Sequence, residues 1–95
     1  MRDTIPAATS FKRLEKVVRG FSNHRRIQLL YVLNDNPDIE LNRLAGLCAV
    51  GLPTATEHCR RLEAAGLISK RKEARKVLHA LSPLGRRVLK FVETL

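Results

Sequence analysis

The sequence predicts a mainly α-helical domain that carries one small β-hairpin, and three observations support this. Aromatic residues are only 4% of the chain while hydrophobic residues are 44%, so the core must be built from Leu, Val, Ile and Ala, which suits helices packed on helices. Apolar residues recur at helical spacing in five separate runs. One stretch breaks that rhythm: "LISKRKEARKVLHALS", residues 67–82, passes through a charged turn into period-two alternation. A chain of 95 residues is expected to form one domain, with residues 1–8 as a loose N-terminal tail and 9–95 as the folded part.

Taken in order, the first helix starts at Thr9 or Ser10, either of which can cap it, and Phe11, Leu14, Val17, Val18 and Phe21 form its apolar side. Gly20 suits its end. A second helix follows with Ser22 as N-cap and Ile27, Leu29, Leu30 and Leu33 behind it, until "NDNPD" (34–38) breaks it. Ile39 reads as a short bridging strand. The third helix covers "LNRLAGLC", with Leu41, Leu44, Leu47 and Cys48 facing inward, and "AVG" (49–51) is a turn with Val50 packed beneath.

The fourth helix spans about 52–65. Ala55, Cys59 and Leu62 fall at i, i+4 and i+7, one buried stripe, with His58 beside it. Its opposite face shows Pro53, Glu57, Arg60 and Ala64, flanked by Thr54, Thr56 and Arg61. Gly66 stops the helix, and the hairpin then runs over about 67–81 with its turn near Glu73-Ala74-Arg75. Ala74 occupies a place where a tight turn prefers glycine, so a longer or more mobile tip is expected. Ser82-Pro83 caps a last helix that carries Leu84, Val88, Leu89, Phe91, Val92 and Leu95.

Eighteen Lys and Arg against nine Asp and Glu give a formal charge of +9. That repulsion adds nothing to folding, and it implies an anionic partner: nucleic acid, an acidic protein or an anionic membrane surface. No segment approaches the roughly 18 apolar residues of a membrane span, and "MRDTIPAATS" leads into no apolar leader core. Cys48 and Cys59 lie inside helical patterns and read as reduced thiols, which suits a cytoplasmic location. No Gly-rich phosphate loop, paired carboxylates or nucleophile–base arrangement appears, so no catalytic residues, no enzyme activity and no cofactor are expected. His24, His58 and His79 lie on different elements, which argues for capping, packing or polar contact and against a joint metal site.

Helix, short turn, helix, hairpin and closing helix is the order of a winged helix-turn-helix, and the residues carry a more specific resemblance. "FSNHRRIQLLYVL" resembles the second-helix signature of ArsR-like repressors, and "LAGLCAVGLPTATEHCRRLEAAGLI" is similar to that family's helix-turn-helix without a gap. "KVLHALSPLGRRVL" resembles the second wing strand and helix start shared by ArsR-like and MarR-like proteins. The resemblance covers roughly residues 11–95, and its most specific piece is the step from recognition helix to wing, Leu-Glu-Ala-Ala-Gly-Leu-Ile. The chain departs from the family pattern at Ala49, where the turn usually has glycine, and at Gly51, where a Ser or Thr cap is usual. The family's metal constellations are not reproduced: the third helix offers Cys48 alone and the last helix only Glu93.

A helix behind a short turn and a supporting helix can enter the major groove, its N-terminal residues at base edges. This assigns DNA contact to Pro53, Thr54, Thr56, Glu57, Arg60 and Arg61, with Glu57 accepting from cytosine and Arg60 reaching guanine or phosphate. Lys70, Arg71, Lys72, Arg75 and Lys76 are assigned to the phosphate backbone, Arg75 also to the minor groove. Arg25 and Arg26 open the second helix, a poor place for cations, and a phosphate or, for Arg26, an acidic partner would compensate. The wide apolar face of the last helix, Val88, Phe91, Val92 and Leu95, with Phe11, Leu14 and Val18 of the first, offers a partner surface. The resemblance implies that these two helices form a two-fold homodimer. The expectation is a duplex-DNA-binding transcriptional repressor. No small-molecule effector is legible, and the rivals are a winged-helix module that docks an acidic protein and a thiol switch through Cys48 and Cys59.

Overall fold

The computed structural model describes residues 5–95. The elements run α1 (Phe11–Phe21), α2 (His24–Asp35), β1 (Ile39–Glu40), α3 (Leu41–Leu47), α4 (Leu52–Ala64), β2 (Ile68–Glu73), β3 (Lys76–Leu81) and α5 (Pro83–Glu93). Of the expected tail, residues 1–4 lie outside the described residues, and residues 5–8 form no helix or strand.

Helix ends follow from their caps. The Ser10 hydroxyl accepts from the Arg13 amide at 3.2 Å and starts α1. The N-cap of α2 is Asn23 and not Ser22: its side-chain oxygen accepts from the Arg25 and Arg26 amides at 2.9 and 3.2 Å. Ser22 instead closes α1 as its C-cap, and the extended backbone that precedes α2 is reached only at Asn23. Gly20 does not end α1 either. It is buried inside the helix, where its missing side chain admits α4. In the seven-residue α3, Leu44 and Ala45 are buried, as is the C-cap Cys48, while Leu47 is 48% exposed. At 100° per residue Leu47 lies about 110° from the centre of the inward stripe, which corrects its expected inward orientation.

The turn after α3 places Ala49 at φ 53°, the left-handed conformation that explains why a glycine is usual there, and Val50 packs against the core. Gly66 at φ 79° ends α4 as expected. The Leu67 amide then donates to the Leu62 carbonyl at 2.9 Å, the six-to-one closure of a Schellman end. Six leucines from four parts of the fold, Leu29, Leu30, Leu33, Leu44, Leu62 and Leu67, are at most 1% exposed and form the centre.

The sheet is antiparallel in the order β1-β3-β2, with Ile39 opposite His79 and Lys70 opposite the same His79 from the other side. Glu73 pairs with Lys76, so the hairpin turn is only two residues long, with Ala74 at φ 55°. The tip is therefore tight and not lengthened; Ala74 accepts the left-handed conformation at some steric expense. The register puts Ile68, Lys70 and Lys72 on the same sheet face as Val77, His79 and Leu81. On that face burial falls off from Leu81 and Ile68 at the base to exposed Val77 and Lys72 near the tip, so the hairpin is anchored in the core and projects from it.

Candidate nucleic-acid interface

Helix α4 is held from below by Ala55, Cys59 and Leu62, all buried, which turns the rest of its circumference outward. Pro53 sits in the first turn behind the N-cap Gly51, and Pro53, Thr54, Thr56, Arg60 and Arg61 are exposed as expected. Thr56 also donates its hydroxyl back to the Leu52 carbonyl at 2.8 Å, leaving its oxygen free to accept.

The sequence assigned Glu57 and Arg60 separate partners; the structure ties them together. Arg60 donates from Nε to Glu57 Oε1 at 2.9 Å and from Nη2 to Oε2 at 2.8 Å, and Arg61 Nε adds a bond to Oε2 at 2.9 Å. These bonds, Arg60's first, hold the Glu57 carboxyl down to about 2, so it is ionised throughout the ordinary pH range. In the free protein Arg60 is thus occupied by an acid, and Glu57 has little accepting capacity left for a cytosine.

The wing cations divide in the same way. Arg71 bonds Asp38 (Nη2 to Oδ2, 3.3 Å) and Glu73, Lys70 reaches Glu63 of α4 at 3.3 Å, and Lys76 lies 3.8 Å from Glu40. Lys72 and Arg75 have no acid within 4 Å among the described residues. The wing cations are exposed, and ion pairs on an exposed surface are weak, so they yield readily to a polyanion.

Arg26 has no acid within 4 Å among the described residues. Its Nε donates to the Gly20 carbonyl at 2.8 Å and its Nη2 to that of Arg19 at 3.4 Å, so it caps the C-terminus of α1. Its Nη1 lies 3.3 Å from His58 Nδ1, tying α1, α2 and α4 together. Burial and then the neighbouring Arg61 pull its pKa down. Arg25 plays the same part for α3, donating to the Cys48 carbonyl at 3.3 Å.

Of the apolar residues assigned to a partner surface, Phe11, Leu14, Val18, Phe91 and Leu95 are exposed, from 48 to 86%. Val88 is buried and Val92 packs against the chain's own core, so these two face inward, a correction whose cause is the packing of α2 against α5. Cys48 and Cys59 are free and buried; burial pushes both thiols up, Cys59 to about 11 with Cys48 adding to the effect. Among the described residues no three His, Cys, Asp or Glu side chains are grouped to hold a metal. None of the described helices is long and apolar enough to cross a membrane.

One part of this surface was not assigned from the sequence. Lys12, Lys16 and Arg19 of α1 flank the same groove as Arg60 and Arg61 of α4. Their i, i+4, i+7 spacing was a readable signal for one cationic face, but which helix it would meet depends on the Gly20–Ala65 contact.

The profile of the winged helix-turn-helix DNA-binding family matches residues 22–69, half of the chain. Among solved structures, the fold is similar to the homodimeric winged helix-turn-helix DNA-binding domain of Mb0332 from Mycobacterium bovis, described as a possible ArsR-family transcriptional regulator. There the TM-score is 0.80 at 21% identity, covering 93% of this chain and 87% of that one. HlyU from Vibrio cholerae matches with a TM-score of 0.76 at 24% identity over 87% of this chain and 90% of that one. S. aureus MepR, solved as a DNA complex, matches at 0.73 and 18% over 87% and 72%. Comparison with curated proteins finds no match. At these identities the structural likeness speaks for the fold, while the profile match carries membership: the chain belongs to the winged helix-turn-helix DNA-binding family.

Proposed function

We propose that the protein is a transcriptional regulator that binds duplex DNA as a homodimer, in the manner of ArsR-like repressors. Helix α4 enters the major groove with Pro53, Thr54 and Thr56 leading, and the β2–β3 wing lies along the phosphate backbone. The observation that carries this reading is the polar solvent face of α4 beside a tight hairpin whose Lys72 and Arg75 lack acid partners among the described residues. Arg60 reaches a guanine or a phosphate after leaving Glu57. The exposed Phe11, Leu14, Val18, Phe91 and Leu95 supply the dimer contact. Repression follows from occupying a pseudo-palindromic site in cytoplasmic DNA, without a cofactor.

Fluorescence-anisotropy titration with duplex DNA over a range of salt tests the reading. Log affinity is expected to fall by about 0.9 per phosphate neutralised for each unit of log salt. Sedimentation equilibrium checks the dimer. Absence of affinity for any duplex at low salt overturns DNA binding, and a monomer at micromolar concentration overturns the dimer.

A further inference from the structure

Between α1 and α4 lies an open groove of about 480 Å³, walled by Lys12, Lys16 and Arg19 on one side and by Arg60 and Arg61 on the other. Gly20, Ala64 and Ala65 are its remaining apolar lining, and the close approach of Gly20 to Ala65 holds the two helices near each other at this end. Five cations face Glu15 as the only acid of the lining. Glu15 engages Arg19 loosely, at 3.6 Å, and Arg60 and Arg61 share the single carboxylate of Glu57. Lys12 and Lys16 have no acid within 4 Å among the described residues. The groove therefore keeps a net positive charge after all its internal pairs are counted. Its volume falls in the range of small-ligand clefts. Concave walls with one sign of charge concentrate field, which favours a compact multivalent anion over scattered counter-ions.

We infer that the α1–α4 groove is a phosphate-binding site, separate from the wing, in which Lys12, Lys16 and Arg61 hold the anion. Phosphate can reach it from two sources. A DNA backbone strand running past the C-terminal half of α4 would extend the footprint of the recognition helix onto α1, a version that rests on the DNA-binding reading above. A free phosphorylated small molecule would instead compete with DNA for Arg60 and Arg61 and so act as an effector.

The test uses the full chain and the double variant Lys12→Ala/Lys16→Ala, with the wing variant Lys70→Ala/Lys72→Ala as control. Each is titrated by calorimetry with inorganic tripolyphosphate, and each is titrated with duplex DNA over a salt series. If the groove grips the DNA backbone, the α1 variant lowers the salt slope by about 1.8, two phosphates at about 0.9 each. If it takes a free ligand, tripolyphosphate binds the native chain, its affinity falls at least tenfold in the α1 variant, and the wing variant keeps it. Either result supports the site. An α1 variant with native melting temperature, unchanged salt slope and unchanged tripolyphosphate binding overturns it. A native chain that binds no duplex but loses tripolyphosphate with the α1 change would sink the DNA reading and leave the groove standing.

Discussion

The Glu57 carboxylate clasps the Arg60 guanidinium at two points, 2.9 and 2.8 Å, on the face of α4 that looks away from the core. The pair sits one helical turn apart, so it forms within the isolated helix and needs no tertiary support. On the proposed reading, Arg60 exchanges this acid for DNA on binding. Glu57→Gln removes the competing charge and frees both Arg60 and Arg61. The expected result is tighter binding to unrelated duplexes, a salt slope steeper by about 0.9 for one further phosphate contact, and a smaller ratio of specific to non-specific affinity. Because Glu57 titrates near 2, acidification from pH 8 to 5 should not mimic the substitution. Parallel anisotropy titrations of both proteins on one chosen and one scrambled duplex check this.

Lys72 and Arg71 are neighbours on β2 with opposite prospects. Arg71 is held by Asp38 and Glu73 on one face of the hairpin, whereas Lys72 shares the other face with Val77 and has no acid within reach among the described residues. Lys72→Ala should lower the salt slope by about 0.9 and weaken every sequence alike, while Arg71→Ala, whose charge is already balanced, should change it less. Arg60→Ala should cost about 1–3 kcal/mol at a preferred site and relax choice at one base position. Equal slopes for the Lys72 and Arg71 variants would contradict this division of the wing.

Much of this arrangement was legible in the residue order, and the portion that was not has a physical cause. Helical spacing locates the five helices of the described residues because each needs a continuous apolar stripe, and Gly66 and Ser82-Pro83 mark the wing's ends by backbone chemistry alone. Ala74 and Ala49 stand where the sequence pattern favours glycine, and both adopt positive φ, so the backbone demand is visible even where glycine is missing. Pairing between elements was not visible. Arg71 with Asp38, 33 residues apart, and Lys70 with Glu63 depend on how β1 and α4 pack beside the hairpin. By sequence alone Arg26 is a cation ill placed at a helix start, yet its partners are carbonyls at the end of a different helix. The inward turn of Val88 and Val92 likewise depends on where α2 lies relative to α5.

Gly20 packs α1 closely against the C-cap of α4, Ala65. A methyl group built there would stand 2.3 Å from the Cβ of Ala65, and neither partner is a flexible side-chain end that could move aside. Gly20→Ala must therefore push the helices apart, which overrides the helix propensity that alanine would normally add. A loss of about 1–3 kcal/mol is expected in chemical denaturation. The compensating change Ala65→Gly in the same chain should recover most of it. If Gly20→Ala alone proves neutral or stabilising, the close packing of α1 on α4 is wrong.

His79 is 4% exposed on the central strand, with Nδ1 3.3 Å from the Ile39 carbonyl. A carbonyl only accepts, so Nδ1 carries the proton. Burial holds the His79 pKa below the usual imidazole range despite that bond, and Lys70 across the strand pair adds to the lowering. With the folded pKa below the unfolded one, the unfolded chain binds the proton first. Stability is complete above the unfolded value near 6.5 and falls as pH drops below it. Denaturation midpoints at pH 7.5 and 5.5 should differ in that direction, and His79→Gln should narrow the difference. His58, lowered by burial and Arg26, accounts for a share that His79→Gln leaves in place.

Cys48, the C-cap of α3, and Cys59 of α4 lie in the core, with the Cys59 thiol raised to about 11. A reactive or sensing cysteine needs the opposite, a thiolate stabilised by nearby positive charge and open to solvent. Lys70 and Arg25 supply some positive charge, but burial is the larger effect at each sulfur. At pH 8 a thiol of that pKa is ionised in only about one molecule in a thousand. Iodoacetamide at pH 8 should therefore leave both residues unmodified in the folded protein while alkylating both in denaturant. Mass spectrometry reads the two states directly. Fast modification of the native protein, or an oxidant-induced loss of two mass units without unfolding, would reinstate a thiol switch. Slow modification that tracks the unfolding equilibrium would identify both cysteines as small core side chains beneath the exposed face of α4.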